Sequence, residues 1–149
     1  MRAVVQRVRS AQVRVDGQVV GEIGRGLVAL VGARADDTTA DAEYLVEKLL
    51  GLRVFEDDEG KMNLSVREVR GGLLLVPNFT LYGDCRRGRR PSFTEAADRE
   101  TAERLFAETT DIARGLISQV ATGDFGAKMT VRIENDGPVT LLLDSRREF

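Results

Sequence analysis

The chain has 149 residues, of which 42% are hydrophobic and 31% charged, and a formal net charge of −2. These figures describe a single soluble globular domain over 1–149, and they exclude a disordered chain or a protein that coats nucleic acid non-specifically. The absence of histidine and the single cysteine, Cys85, exclude a Ser-His-Asp or Cys-His apparatus, the usual zinc sites and an intrachain disulfide.

The start, Met1-Arg2-Ala3-Val4-Val5-Gln6-Arg7, is interrupted by Arg2 and Gln6 too early for a secretory leader. The longest apolar run, Gly26 to Ala33, is strand-sized and far short of the roughly 20 residues of a membrane helix. A cytoplasmic protein is expected, with no membrane partner.

Ala3 to Val8 is rich in β-formers, and Gln12 to Val20 alternates around Asp16-Gly17, a two-residue hairpin signal. Gly24-Arg25-Gly26 marks a second turn, and Leu27 to Gly32 has the continuous apolar character of a strand buried on both faces. Ala42, Leu45, Val46 and Leu49 predict a helix over 38–51, capped by Asp37, Thr38 or Thr39. A short strand, Leu52 to Phe55, precedes the acidic turn Glu56 to Gly60, which lacks the ligand spacing of a calcium loop. Leu73 to Val76 is a central-type strand, and Tyr82 to Ser92 is a Gly- and Arg-rich loop. A second helix is expected over 98–119, with Ala102, Leu105, Phe106, Ile112, Ala113, Leu116 and Val120 on one face. Met129 to Ile133 and Val139 to Leu143 read as two strands separated by Asn135-Asp136-Gly137-Pro138. The class is α/β or α+β: a β-rich body with two main helices.

Charge is uneven along this plan. Arg86, Arg87, Arg89 and Arg90 cluster in one loop, and Arg2, Arg7, Arg9 and Arg14 crowd the start. Local phosphate contact and plain solvated faces both fit this pattern. No glycine pattern makes a phosphate cradle: neither G-x-G-x-x-G nor a P-loop occurs.

Two segments can carry chemistry. Pro77-Asn78-Phe79-Thr80-Leu81-Tyr82 leaves a buried strand at a sheet end, with the Thr80 hydroxyl, the Asn78 amide and the Phe79 and Thr80 backbone amides as candidate oxyanion donors. The plain alternative is a proline-interrupted turn. Asn135-Asp136-Gly137-Pro138-Val139-Thr140 reads as a hairpin turn, yet a Gly-Pro bond can also be cis, which turns adjacent carbonyls to one side as a rigid polar edge. Spacing alone leaves the isomer open.

Both segments resemble one family. Asn78-Phe79-Thr80 is similar to the Ser-Gln-Phe-Thr motif of D-aminoacyl-tRNA deacylases, and Asn135 to Thr140 matches that family's other signature. Met1 to Val8, Lys61 to Ser65, Arg90 to Phe93 and Phe125 to Met129 resemble it as well, in family order and over the whole chain. The resemblance implies a β-barrel-like α/β homodimer with active sites at the subunit interface. It implies that Gly137 and Pro138 form a cis chirality filter projecting into the partner's pocket and acting through main-chain atoms. Catalysis would rest on Asn78, Phe79 and Thr80 near the ester, with Phe125 and Met129 holding the terminal adenosine and Arg7 bracing the Gly-Pro segment. The implied partner is aminoacyl-tRNA, through its 3′-terminal adenosine; no DNA partner, cofactor or metal is expected.

This chemistry suits a protein without imidazole. The ester is already activated and the neighbouring ribose hydroxyl can assist, so the protein need only place water and stabilise the oxyanion. A stiff carbonyl edge would exclude L side chains regardless of their identity and leave glycine unopposed. Two positions depart from the family: Pro77-Asn78 stands in place of Ser-Gln, and Lys128 stands where an acidic residue is common. Pro77 has neither hydroxyl nor N–H. An editing deacylase for glycine or small L-amino acids, and a non-catalytic tRNA-binding dimer, remain alternatives.

Overall fold

A computed structural model describes residues 1–149. Three strands lead: β1 (Arg2–Val15), β2 (Gln18–Ile23) and β3 (Gly26–Gly32). The Asp16-Gly17 hairpin forms as expected, with φ of 49° and 79°, the paired left-handed conformation that Asp-Gly favours. Helix α1 (Thr39–Gly51) follows, with the Asp41 carboxylate accepting from the Thr38 amide at 2.8 Å as a cap. Then come β4 (Phe55–Glu56), β5 (Met62–Leu64), β6 (Gly72–Pro77), α2 (Arg99–Leu116), β7 (Val120–Thr122) and β8 (Thr130–Asp144). α2 is capped by Asp98, which accepts from the Thr101 amide at 2.8 Å.

The main sheet runs β2-β1-β3-β6-β7, with β8 on the other side of β1. β1 is antiparallel to β2, β3 and β8, while β3–β6 and β6–β7 are parallel. β2 also comes up against β7, where Gly21 meets the backbone of Thr122, so the sheet nearly closes into a barrel. The α/β class, the two helices and the barrel-like sheet therefore stand.

Strand alternation sorts the core into two layers. Leu27, Ala29 and Val31 of β3 and Leu73 and Leu75 of β6 face the helices, packing with Leu45, Leu49 and Leu105. Val28, Leu74 and Val76 point the other way, with Val8, Val13 and Ile23. The continuous apolar runs of β3 and β6 thus reflect burial on both faces.

Four expected boundaries are corrected. Ala3–Val8 and Gln12–Val15 belong to one strand, β1, whose inward set changes phase at an irregularity between Gln6 and Ser10: Ala3, Val5 and Arg7 are buried before it, Val8, Ala11 and Val13 after it. The strand expected over Leu52–Phe55 shrinks to Phe55–Glu56, because the Leu52 amide still bonds to Lys48 O at the end of α1. The second helix stops at Leu116, and Val120–Thr122 leave it to pair with β6; Val120 continued the helical spacing but serves in a strand. Finally, Met129–Ile133 and Val139–Leu143 are not two strands about a hairpin. Both halves run antiparallel along β1 within β8, and Asp136 to Val139 form a bulge between the partners Val8↔Asn135 and Gln6↔Thr140.

Candidate active site

β6 is buried up to Val76 and ends at Pro77, where the chain turns into a single 3-10 turn, Phe79–Tyr82. Its entry is pinned by the Asn78 amide, which donates to Val31 O at 2.7 Å. Asn78 then caps the turn. Its Oδ1 accepts from the Thr80 amide (3.3 Å) and from the Thr80 hydroxyl (2.5 Å). The Thr80 amide is therefore turned to a side chain rather than outward, a departure from its expected service as an oxyanion donor. The Phe79 amide, first in the turn, has no partner within it. Thr80 is exposed, and Phe79 projects with its ring edge-on to Phe93, centroids 5.1 Å apart.

A cavity of about 420 Å³ opens beside this turn. Pro77, Asn78 and Phe79 form one wall, Phe125, Gly126, Ala127 and Met129 another, and Arg99, Ala102 and Phe106 of α2 a third. Phe125 leans on Phe106, with centroids 6.2 Å apart. Of the expected site residues, Asn78, Phe79, Phe125 and Met129 meet here, and Thr80 adjoins through Asn78. The α2 wall escaped the sequence reading because Ala102 and Phe106 carry only a helix-face signal, which core packing explains equally well.

Gly137, Pro138 and Arg7 do not line that cavity. They form a second constellation on the β1–β8 seam. The Gly137-Pro138 peptide is cis, and both residues are exposed. Asn135 crosses beneath the bulge: its Nδ2 donates to Val139 O (3.0 Å) and Arg7 O (3.3 Å), and its Oδ1 accepts from the Val139 amide (3.2 Å). Arg7 is only 6% exposed. Its Nε donates to Asp136 O at 3.0 Å and lies 3.2 Å from Asp136 Oδ2, while Nη1 donates to Val54 O at 2.5 Å. Such a buried cation persists because every direction it faces offers an acceptor.

The basic loop after the 3-10 turn is only partly free. Arg86 grips Asp84 through Nε (2.9 Å) and Nη2 (2.8 Å), and these bonds, with that from the Arg86 amide, hold the Asp84 carboxyl down at about 2. Arg87, Arg89 and Arg90 are exposed and form no ion pair.

Known proteins decide what this arrangement belongs to. The family model for D-Tyr-tRNA(Tyr) deacylase matches residues 4–144. The chain belongs to the D-aminoacyl-tRNA deacylase family. That family comprises hydrolases acting on the ester bond of aminoacyl-tRNA. The D-aminoacyl-tRNA deacylase of Clostridium acetobutylicum is 55% identical over 149 residues, covering 100% of both chains. That of Thermosipho melanesiensis is 55% identical over 150 residues, again covering 100% of both. Among solved structures, the c-Myc DNA Unwinding Element Binding Protein is similar with a TM-score of 0.92 and 41% identity, over 97% of this chain and 98% of that one. A probable eukaryotic D-amino acid tRNA deacylase shares the fold, with a TM-score of 0.80 at 20% identity, over 95% of this chain and 97% of that one. No helix is long and apolar enough to cross a membrane.

Proposed function

We propose that the protein is a cytoplasmic D-aminoacyl-tRNA deacylase that works as a homodimer. It hydrolyses the ester between a D-amino acid and the 3′-terminal adenosine of tRNA. The observation carrying this reading is the division of the site into two parts. An apolar cavity with the Asn78-Phe79-Thr80 turn on its wall can take a nucleoside and its ester, while the exposed Gly137-Pro138 edge lies on a seam outside that cavity. A second copy brings the two together. The outer edge of β8 supports such pairing, because β8 bonds only to β1 and carries Leu142 60% exposed.

In this reading the cavity holds the adenosine against Phe125 and Met129, and the ester lies at Phe79 and Thr80. The Phe79 amide donates to the developing oxyanion. The Thr80 hydroxyl already donates to Asn78, so its oxygen is left to accept from the attacking water or the substrate amine. The ribose hydroxyl beside the ester assists proton transfer, which removes the need for an imidazole. The partner's Gly137-Pro138 carbonyls accept from the α-amino group and leave no room for an L side chain. Rejection by 10⁴-fold requires about 5.5 kcal/mol, within reach of a hard steric clash with a braced backbone. Glycine offers nothing to clash with, so mischarged glycyl-tRNA is also a substrate.

The test is deacylation of D-Tyr-tRNA and L-Tyr-tRNA by the purified protein. Fast release from the D-ester alone is expected. Equal rates, or no release from either, would end the proposal, and tRNA binding without turnover would favour a non-catalytic dimer.

A further inference from the structure

Arg99 is the only charged side chain among the residues lining the cavity. It stands on the first turn of α2, beside otherwise apolar wall residues such as Ala102, Phe106 and Phe125. The other two arginines of that helix are neutralised: Arg104 lies 2.7 Å from Glu108, and Arg114 lies 3.9 Å from Asp111. Arg99 has no carboxylate within the same range and no side-chain hydrogen bond, although Asp98, Glu100 and Glu103 are its neighbours in sequence. The opposite wall is shaped to it. Gly126 sits at φ 77°, and a Cβ there would lie 3.0 Å from Arg99 Nη2 and 3.5 Å from Cζ. The guanidinium is thus seated against bare backbone, at the mouth of an apolar pocket, with its donors unspent. An unpaired fork of donors beside a nucleoside-sized cavity matches one feature of the substrate chemistry, the phosphodiester on the 5′ side of the bound nucleoside.

We infer that Arg99 is a positioning residue that binds the phosphodiester joining the terminal adenosine of the tRNA to the preceding nucleotide. This rests on the deacylase reading and sharpens it: the cavity recognises a nucleotide rather than a nucleoside, and Arg99 fixes the depth at which the ester reaches Phe79. Gly126 keeps the seat open. Arg99 touches neither the ester nor the amino acid, so it acts on binding and register, not on bond cleavage.

The experiment uses two minimal esters, 3′-O-D-tyrosyl-adenosine and its 5′-(methyl phosphate) diester, with the wild-type protein and the variants Arg99→Gln and Arg99→Lys. In the wild type the added phosphodiester should lower KM about tenfold, the scale of one charge-assisted hydrogen-bonded contact at a half-open site, with little change in kcat. Arg99→Gln should abolish that gain, and Arg99→Lys should restore part of it. With D-Tyr-tRNA, Arg99→Gln should lower the slope of log KM against log salt by about 0.7, the value for one lost phosphate contact on a single strand. A purely structural role for Arg99 would move neither the phosphate gain nor the salt slope. No gain from the phosphodiester in the wild type, or the same gain in Arg99→Gln, overturns the inference while leaving the deacylase reading intact. Hydrolysis of neither ester, nor of D-Tyr-tRNA, overturns both.

Discussion

The two parts of the site are made rigid in opposite ways. On the β1–β8 seam the presented groups are backbone, and the side chains are underneath: Arg7 and Asn135 tie the bulge from below through bonds to Asp136, Val54 and Val139. At the end of β6 the presented groups are largely side chains, and what holds them is one polar residue, Asn78, that fastens Thr80 above it and is itself fixed to Val31. The seam spends a buried cation on a few exposed atoms. The turn spends one amide. On the function proposed above, the seam is the surface that excludes and must not yield, whereas the turn borders the surface that receives an aromatic nucleoside and can adjust.

The comparison breaks most visibly at Gly137. An alanine Cβ would collide with the Val139 backbone nitrogen and lie 2.8 Å from Val139 Cγ2, at φ 152°, where side chains are rarely tolerated. Gly137→Ala should retain the fold and reduce D-Tyr-tRNA turnover by about 100-fold, the scale of an ångström-sized displacement at a reacting centre. Wild-type rate and D/L selectivity in that variant would show that the exposed edge is not the filter.

Removing the brace should cost stability as well as activity. Arg7→Ala leaves the Asp136 and Val54 carbonyls without their donor, and a destabilisation of about 2–3 kcal/mol is expected, since the Asp136 carboxylate keeps part of its solvent. Urea unfolding measures it, and a loss under 1 kcal/mol would make the buried cation dispensable.

The turn should be more forgiving. Asn78→Ala removes a cap of the kind worth about 1 kcal/mol and frees the Thr80 hydroxyl. Turnover should fall about tenfold with KM for D-Tyr-tRNA nearly unchanged, because the apolar walls remain. A rise in KM alone would place Asn78 in nucleoside binding instead.

The smallest effect lies in the loop beyond the turn. Arg86 holds the folded-state carboxyl of Asp84 at about 2, below its unfolded value. A lowered carboxyl pKa adds stability above the unfolded pKa, and that contribution is lost as pH falls through the folded one. The Asp84 carboxyl resonance should therefore titrate near pH 2 in the wild type and return toward about 3.9 in Arg86→Gln. An unchanged midpoint in Arg86→Gln would mean that the loop pair does not form in solution.

Local chemistry in the chain was enough to declare much of this molecule. Asp16-Gly17 dictates its hairpin because both residues accept left-handed backbone. The helix starts at Thr38 and Asp98 are marked by short polar side chains, with Asp98 accepting from the Thr101 amide and Thr38 donating its hydroxyl and amide to Asp41. The apolar runs of β3 and β6 announce strands covered on both sides. The lack of histidine removed whole classes of mechanism. Tertiary pairing decided the rest. Asp136-Gly137-Pro138 carries every local sign of a reversal, yet it becomes a bulge because β1, 14 residues long, offers a partner to both sides of it. Val120 keeps helical spacing, yet it joins β6 because the parallel edge there was otherwise unpaired. Composition leaves Arg7 as one of four arginines near the start, and the family resemblance implies a brace for the Gly-Pro segment; its burial and the Asp136 and Val54 acceptors that fill its donors are set by the fold. Hydrogen-bond partners distant in sequence made these choices, and no window along the chain contains them.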